Sequence, residues 1–167
     1  MTDERDQLLE ALLDSWDRNN AIMLNLLRTV ADGGLEVKAI ESSPSVAQQF
    51  MHIHHERLIS VFEEAPEFAI AVPKEEWMIE QDRDRIAQML NESAQAVRDA
   101  VRGRVLAGRD MELNYDHPIL LLQLLLWHEG YHHGQIKLAL KLAGHPITND
   151  EAGPLTWDVW RRKSRQP

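Results

Sequence analysis

The stretch LLLWHEGYHHGQIKLAL, residues 124–140, decides how this chain folds. Its apolar residues recur every three or four positions, which is the spacing of one face of an α-helix. Within it, HEGYH at 128–132 satisfies the pattern H-E-x-x-H, in which two histidines one helical turn apart bind zinc. The stretch therefore predicts a helix that carries two candidate metal ligands, and it leaves the kind of site open.

The same helical spacing of apolar residues extends over most of the chain. No segment shows the sustained alternation, bounded by turn residues, that marks a β-strand. We therefore predict an all-α fold, a four-helix bundle followed by a short C-terminal helix. With 167 residues, of which 44 % are hydrophobic, the chain has the size of one domain, and we expect 1–167 to form a single domain.

Capping residues, prolines and glycines mark the ends of the four predicted helices. Their expected bounds are about 3–31, 43–64, 81–105 and 118–144. In the second helix, Ser43 is expected as the cap and Pro44 in the first turn. In the fourth, Asp116 or His117 is expected as the cap before Pro118.

Two further segments lie outside these helices. EFAIAVPKEEW, residues 67–77, is predicted to be a linker with at most one turn, because Pro73 interrupts a helix. PLTWDVWRR, residues 154–162, is predicted to form the short C-terminal helix. Its Trp157 and Trp160 are three residues apart, so we expect them to lie on one face against the bundle.

The charge balance disfavours two classes of partner. With 18 basic and 27 acidic side chains the net charge is −9, the wrong sign for binding nucleic acid or an anionic membrane surface. The basic run RRKSR at 161–165 is the exception, and we expect it to be a solvated helix end.

The chain contains no cysteine, which excludes disulfides, thiolate nucleophiles and sulfur metal ligands. The first ten residues, MTDERDQLLE, are too acidic and polar for a signal peptide. The most apolar run, ILLLQLLLW at 119–127, is far shorter than the roughly 20 residues of a spanning helix. We therefore expect a cytoplasmic protein without membrane partners.

Histidines concentrate on two of the predicted helices. The second helix carries His52, His54 and His55, and the fourth carries His128, His132 and His133. Buried imidazoles need polar partners, and a divalent cation between histidines one turn apart is one such partner. His128 and His132 are expected on an inward face shared with Leu121, Leu124, Leu125, Gln135 and Ala139.

A third ligand is expected from another helix, as in bundles whose metal sites project inward from facing helices. On a helical wheel His54 lies near the centre of the apolar arc of the second helix, and His52 and His55 flank it. The wheel favours His54 and leaves all three open.

A zinc protease would need Glu129 as general base and a distant third ligand, for which Glu151 is the candidate. Proteases usually hold the substrate as a strand added to a sheet edge, and no strand is predicted here. Gly130 within the motif and the lack of the extended form with a third histidine also disfavour a peptidase.

The strings SVAQQFMHIHHERL and HEGYHHGQI together resemble the DinB family of four-helix-bundle proteins, which includes YfiT-like metal-dependent hydrolases. The resemblance covers nearly the whole chain in helix order. It implies that His128 and His132, followed by Gly134-Gln135, are metal ligands on the fourth helix. It selects His52 as the third ligand, against the preference of the wheel.

His54 and His55 therefore remain alternatives to His52 as the third ligand, and Tyr131 and His133 are not expected to be ligands. The resemblance implies a divalent metal, zinc or nickel, and a small-molecule substrate. The reaction is expected to be a hydrolysis or a transfer that uses a low-molecular-weight thiol. We also expect a homodimer.

Two residues are weak catalytic candidates. Glu56, one turn after His52, could orient that ring or carry a proton, or it is an exposed charge paired with a neighbour. Gln135 could hydrogen-bond a ligand, or it packs between helices. The alternative to an enzyme is a non-catalytic, stress-associated dimeric bundle whose metal is structural, with four protein ligands rather than three.

Overall fold

The computed structural model describes residues 4–161 and confirms the all-α prediction. Its four long helices are α1 (Glu4–Thr29), α2 (Val46–Glu64), α3 (Arg83–Ala107) and α4 (Pro118–Leu142). No strand occurs between residues 4 and 161, where a single bridge between Lys38 and Ser45 is the nearest approach to one. Over the same range, no helix combines the length and the apolarity needed to cross a bilayer.

The start of α2 differs from the prediction. Ser45 caps the helix rather than Ser43: its hydroxyl accepts from the amide of Gln48, and the Gln48 side chain accepts from the amide of Ser45. This reciprocal capping box satisfies two helix-end donors at once. Ser43 instead closes the preceding turn by donating to the carbonyl of Ile40 at 2.8 Å.

The other helix ends lie close to the predicted bounds. His117, one of the two predicted caps, accepts from the amide of Ile119 at 3.2 Å, and Pro118 occupies the first turn. The helix ends at Leu142, and Gly144 follows two residues later with φ of 85°. The predicted first residue of α1, Asp3, lies outside the described residues.

The apolar core is divided into two parts by a layer of buried polar side chains. One part surrounds Phe50 and Ile136, and the other surrounds Trp16 and Leu121. Every long helix contributes to the layer between them. Its buried members are Asn19, Asn20, His52, His54, Arg57, Ser93, Glu129 and His132.

The C-terminal segment follows α4 and packs along α1. It consists of α5 (Asn149–Ala152), a π-helical turn (Gly153–Trp157) and α6 (Asp158–Arg161). Thr156 is buried, whereas Trp157 and Trp160 are largely exposed. Both tryptophans line a pocket with residues of α1 and α4, so they lie against the bundle as predicted, although neither is buried there. Arg162 and the rest of the basic run lie outside the described residues.

Residues 69–82 form the linker between α2 and α3, as predicted, after a single 3₁₀ turn at Pro66–Phe68. The linker passes over the outer side of α2. Gln48 donates from its side-chain amide to the carbonyl of Trp77 at 3.0 Å, which fixes the linker beside His52.

Candidate metal centre

Three imidazoles meet between α2 and α4. Nε2 of His52 lies 3.1 Å from Nε2 of His128, and Nε2 of His132 lies 3.2 Å from that same atom. All three candidate donor atoms lie within 4.8 Å of one another. His52 and His132 are buried and His128 is half-buried. The structure thus brings together the three residues that the sequence analysis named.

The separations fit a small divalent cation. Zinc binds imidazole nitrogen at about 2.0–2.1 Å in tetrahedral geometry, so two nitrogens on one zinc ion lie about 3.3 Å apart. The observed separations of 3.1 and 3.2 Å are close to that value. Nitrogens this close without an ion between them must share a proton or oppose two lone pairs.

The protonation state of the rings also suits a metal. Burial, followed by the neighbouring His128, lowers the pKa of His52 and of His132 to about 4. Both rings are therefore neutral near pH 7, which is the form that binds cations. The Nδ1 atoms of both rings are buried without a hydrogen-bond partner. Neutral rings that carry their proton on Nδ1 direct three Nε2 lone pairs at one point.

The linker supplies two side chains that hold His52. The ring of Trp77 stacks on the ring of His52 with centroids 4.2 Å apart and planes 5° from parallel. Glu76 places Oε1 2.9 Å from Nδ1 of His52, within ion-pair range although not aligned as a hydrogen bond. A carboxylate on the far nitrogen of a ligand histidine fixes its tautomer. Sequence analysis missed both residues.

The two weak catalytic candidates lie at the edge of the site. Glu56 shares a group with His52 and Glu76 whose candidate donor atoms are within 4.8 Å of one another, and it approaches Nδ1 of His55 at 3.7 Å. Gln135 lies beside His132, where it partly opposes the lowering of that pKa. A chemical role for Glu56 or Gln135 stays a prediction.

The two alternative ligands, His54 and His55, point away from the three-histidine group. His54 donates from Nδ1 to the carbonyl of Met89 on α3 at 2.8 Å, and it is buried there. The centre of the apolar arc of α2 therefore faces α3, whereas the flank that bears His52 faces α4. His55 approaches Glu56. Neither His54 nor His55 belongs to a candidate ion-binding group among residues 4–161.

Glu129, the candidate base of the protease alternative, is fully buried and engaged elsewhere. Arg57 donates to its two oxygens at 2.6 and 2.7 Å, and Asn19 donates to Oε2 at 2.6 Å. Glu151, the candidate third ligand, accepts from the amide of Thr148 in the capping box of α5. The structure does not assemble the residues of a protease.

The buried face of α4 is rotated relative to the prediction. It is centred on Leu125, Glu129 and Ile136, and Leu124 is 43 % exposed, so its expected inward position is wrong. The Arg57–Glu129 pair lies on this buried face, between α4 and α2. The spacing of apolar residues alone does not identify a charged residue such as Glu129 as part of the core.

A pocket of about 450 Å³ adjoins the histidines. His52 and His132 form part of its lining. Trp77, Tyr131 and Leu138 supply apolar surface around them. The three-histidine group is thus reached from a cavity large enough for a small organic molecule.

Comparison with known proteins gives one positive result. The sequence model described as "DinB family" matches residues 1–157. Neither the curated proteins nor the solved structures gave a match. The match covers all four long helices and the three converging histidines. The chain therefore belongs to the DinB family.

Proposed function

We propose that this protein is a metal-dependent enzyme that acts on a small molecule, as a hydrolase or as a low-molecular-weight-thiol-dependent S-transferase. The supporting observation is the convergence of Nε2 of His52, His128 and His132 beside the 450 Å³ pocket. Zinc or nickel is the proposed ion, because both accept imidazole ligands.

A divalent ion in this group supplies a Lewis acid that polarises a carbonyl or lowers the pKa of a water molecule or thiol. The chain's own residues prepare its position. Glu76 places a carboxylate oxygen 2.9 Å from the outer nitrogen of His52, and Trp77 restricts the rotation of that ring by stacking on it. Tyr131 and Leu138 offer apolar surface to the substrate and exclude water from one side of the pocket.

The donor set favours a catalytic over a structural ion. Structural zinc sites have four protein ligands, whereas catalytic sites have three and keep one position open. Among residues 4–161, the group formed by the three Nε2 atoms contains no fourth histidine or carboxylate. His52 and His132 line the pocket, so a small molecule in it could reach an ion held by these residues.

The thiol branch of the proposal rests on the family resemblance, and the absence of cysteine is compatible with it. Because the chain contains no cysteine, a reacting thiol has to arrive as a co-substrate. We propose a cytoplasmic setting, where small thiols are kept reduced.

Elemental analysis of the purified protein tests the ion. We expect close to one equivalent of zinc or nickel in the wild type and loss of that metal in His128→Ala. His145→Ala is the matched control, since His145 is exposed and outside the group. A wild type that neither carries metal as isolated nor binds added zinc or nickel would contradict the proposal.

Activity assays then separate the two reactions. Transfer with glutathione, bacillithiol or mycothiol is compared with hydrolysis of simple esters and amides, for the wild type and His128→Ala. Turnover in one class that is lost in His128→Ala supports that branch. Metal binding without turnover in either class would favour the non-catalytic alternative.

A further inference from the structure

A second pocket, of about 490 Å³, lies between α1, α4 and the C-terminal segment. Its volume is within the range of about 300–1,000 Å³ that is typical of small-molecule sites. Ile22 and Met23 line it from α1, and Trp157 and Trp160 line it from the C-terminal segment. We call it the tryptophan pocket. Trp157 is 60 % and Trp160 43 % exposed, so both indoles keep apolar surface for a ligand.

The tryptophan pocket and the pocket beside the three histidines lie on different sides of α4. His132 lines the pocket at the three-histidine group, and its neighbour His133 lines the tryptophan pocket. Successive residues of an α-helix point in directions about 100° apart. Within residues 4–161 the two linings share no residue. A ligand in the tryptophan pocket therefore does not need the ion proposed for the histidines.

Two glycines one helical turn apart, Gly130 and Gly134, line the tryptophan pocket from α4. Glycine is less favourable than alanine inside a helix. A Cβ added at either position would meet nothing within 4 Å, so packing among residues 4–161 does not require glycine there. Glycine is also used where a ligand approaches the backbone closely. The two positions leave open space that a flat molecule can fill against the helix.

Lys137 gives the tryptophan pocket a positive charge. It is half-buried and has no ion-pair partner among residues 4–161. The carboxylate of Glu129, which also lines the pocket, already accepts hydrogen bonds from Arg57 and Asn19. Charges withdrawn from water are normally paired. In a chain of net charge −9, an unpaired, half-buried cation at a cavity favours an anionic ligand.

His133, one turn before Lys137, adds a hydrogen-bonding group to the tryptophan pocket. Its ring is half-buried, and it has no hydrogen-bond partner within the described part of the chain, residues 4–161. An imidazole nitrogen can donate to a ligand or accept from it. The pocket thus combines a cation, a hydrogen-bonding ring and two indoles, and each of them is available to a molecule from outside.

We propose that the tryptophan pocket is a second binding site and takes a small aromatic anion, with its ring beside Trp157 and Trp160 and its carboxylate at Lys137. Planar rings stack favourably on indoles. An ammonium and a carboxylate form charge-assisted hydrogen bonds. Indoles also bind cations, but Lys137 would repel a cation in this pocket. The site goes beyond the proposed enzymatic function and does not depend on it.

Titration of the full chain with 2-naphthoate, followed by nuclear magnetic resonance, tests the site. The chain contains five tryptophans, whose indole N–H signals can be assigned by replacing each with phenylalanine in turn. We expect saturable shifts of the Trp157 and Trp160 signals. Trp77, which lines the pocket beside the histidines, should respond less. 2-Naphthamide has nearly the same shape without the charge, and it should bind about tenfold more weakly.

Two lysines of α4 provide a matched pair of variants. Lys137→Met removes the charge and keeps most of the apolar stem. It should lower the affinity for 2-naphthoate about tenfold and leave the affinity for 2-naphthamide unchanged. Lys141→Met is the control, since Lys141 lies one turn further along α4, is exposed and does not line the pocket. It should bind both compounds as the wild type does.

Filling the pocket is an independent test. Gly130→Leu should abolish the binding of both compounds. Its free energy of unfolding should not fall, because leucine favours a helix more than glycine does and its Cβ has open space. Gly134→Leu, which fills the same pocket, replaces Gly130→Leu if circular dichroism shows that the latter is unfolded.

Three results would overturn the proposal. They are the absence of saturable shifts at Trp157 and Trp160, shifts confined to other tryptophans, and equal affinities of Lys137→Met and the wild type for 2-naphthoate. None of them bears on the elemental analysis of the three-histidine group, so the failure of this proposal and that of the proposed function are distinguishable.

Discussion

Two buried polar groups lie side by side between α2 and α4, and they differ in how many of their polar atoms have hydrogen-bond partners. In the Arg57–Glu129 pair, the guanidinium reaches both carboxylate oxygens, the side chain of Asn20 and the carbonyl of Leu90. The Cζ atom of Arg57 lies over the indole ring of Trp16, 4.9 Å from the ring centroid. In the three-histidine group, by contrast, two Nδ1 atoms lack hydrogen bonds and three Nε2 atoms face one another.

The contrast separates a group that completes the fold from a group prepared for a ligand. A native core rarely leaves buried polar atoms without partners unless a ligand or function requires them. The pair needs nothing from outside the chain, whereas the three Nε2 atoms of the histidines converge where a cation could bind. The two groups should therefore respond differently to mutation, chelation and pH.

The largest effect is expected from breaking the pair on one side. Glu129→Leu leaves Arg57 buried without its counter-ion, and the free energy of unfolding should fall by about 3–5 kcal/mol. Urea denaturation of the metal-free protein measures it. The double variant Arg57→Met/Glu129→Leu should recover most of the loss, because a well-packed apolar pair replaces the ionic one. An unchanged stability of the single variant would contradict the structural role of the pair.

Metal removal is expected to act through the histidines alone. A ligand at a hundredfold excess over its dissociation constant stabilises the folded state by about 2.7 kcal/mol. Adding that excess of zinc to the metal-free wild type should raise the free energy of unfolding by about this amount. His132→Ala should gain almost nothing, whereas His145→Ala should respond as the wild type does. Equal gains in all three proteins would place the ion elsewhere.

Acid should destabilise the metal-free protein through its buried histidines. Burial lowers the pKa of His54 to about 4, against 6.5 in the unfolded chain. Between these values the unfolded chain binds a proton that the folded chain does not, so the free energy of unfolding falls as the pH is lowered. His54 makes its full contribution to the free energy of unfolding above pH 6.5. That contribution decreases by about 2 kcal/mol by pH 5.

Urea denaturation at pH 7 and at pH 5, with chelator present, measures this loss. His54→Gln keeps a donor for the Met89 carbonyl and has no titrating ring, so it should reduce the loss. His145→Gln, at an exposed position, serves as the control. A loss of the same size in His54→Gln would assign it to other groups.

The smallest effect is expected at the linker. Glu76→Gln removes the charge beside Nδ1 of His52 and should lower zinc affinity about tenfold, since residues that orient ligand histidines typically contribute tenfold or more. Zinc titration with a competing chelator dye measures the affinity. Glu75→Gln, at the exposed neighbouring position, should leave it unchanged. Equal affinities in both variants would show that Glu76 does not position the ring.

Much of the helical architecture could be predicted from the sequence, because apolar spacing reports which face of a helix is buried. The fold class, the four long helices and the spacing of His128 and His132 follow from that pattern. The cap at Ser45 could also be predicted, since Gln48 completes a capping box three residues later. Because Pro44 is typical of a first helical turn, the predicted cap was Ser43, two residues before the observed one.

The rest depended on tertiary contacts that periodicity does not encode. A helical wheel finds the centre of the apolar arc, but His54 at that centre meets α3, and only the family resemblance selected His52. Glu76 and Trp77 come from a linker without periodicity, and their place beside His52 depends on the folded chain. Glu129 could have been found, because it continues the buried face between Leu125 and Ile136.

The polar layer between the two apolar halves of the core also constrains how the helices align. If α4 slid along α2 by one turn, about 5.4 Å, Glu129 would leave Arg57 and each buried charge would lose its partner. Uniform apolar seams tolerate such a shift, and polar contacts at one level do not. The Arg57–Glu129 pair thus sets the axial register of the bundle, and that register brings His52 level with His128 and His132.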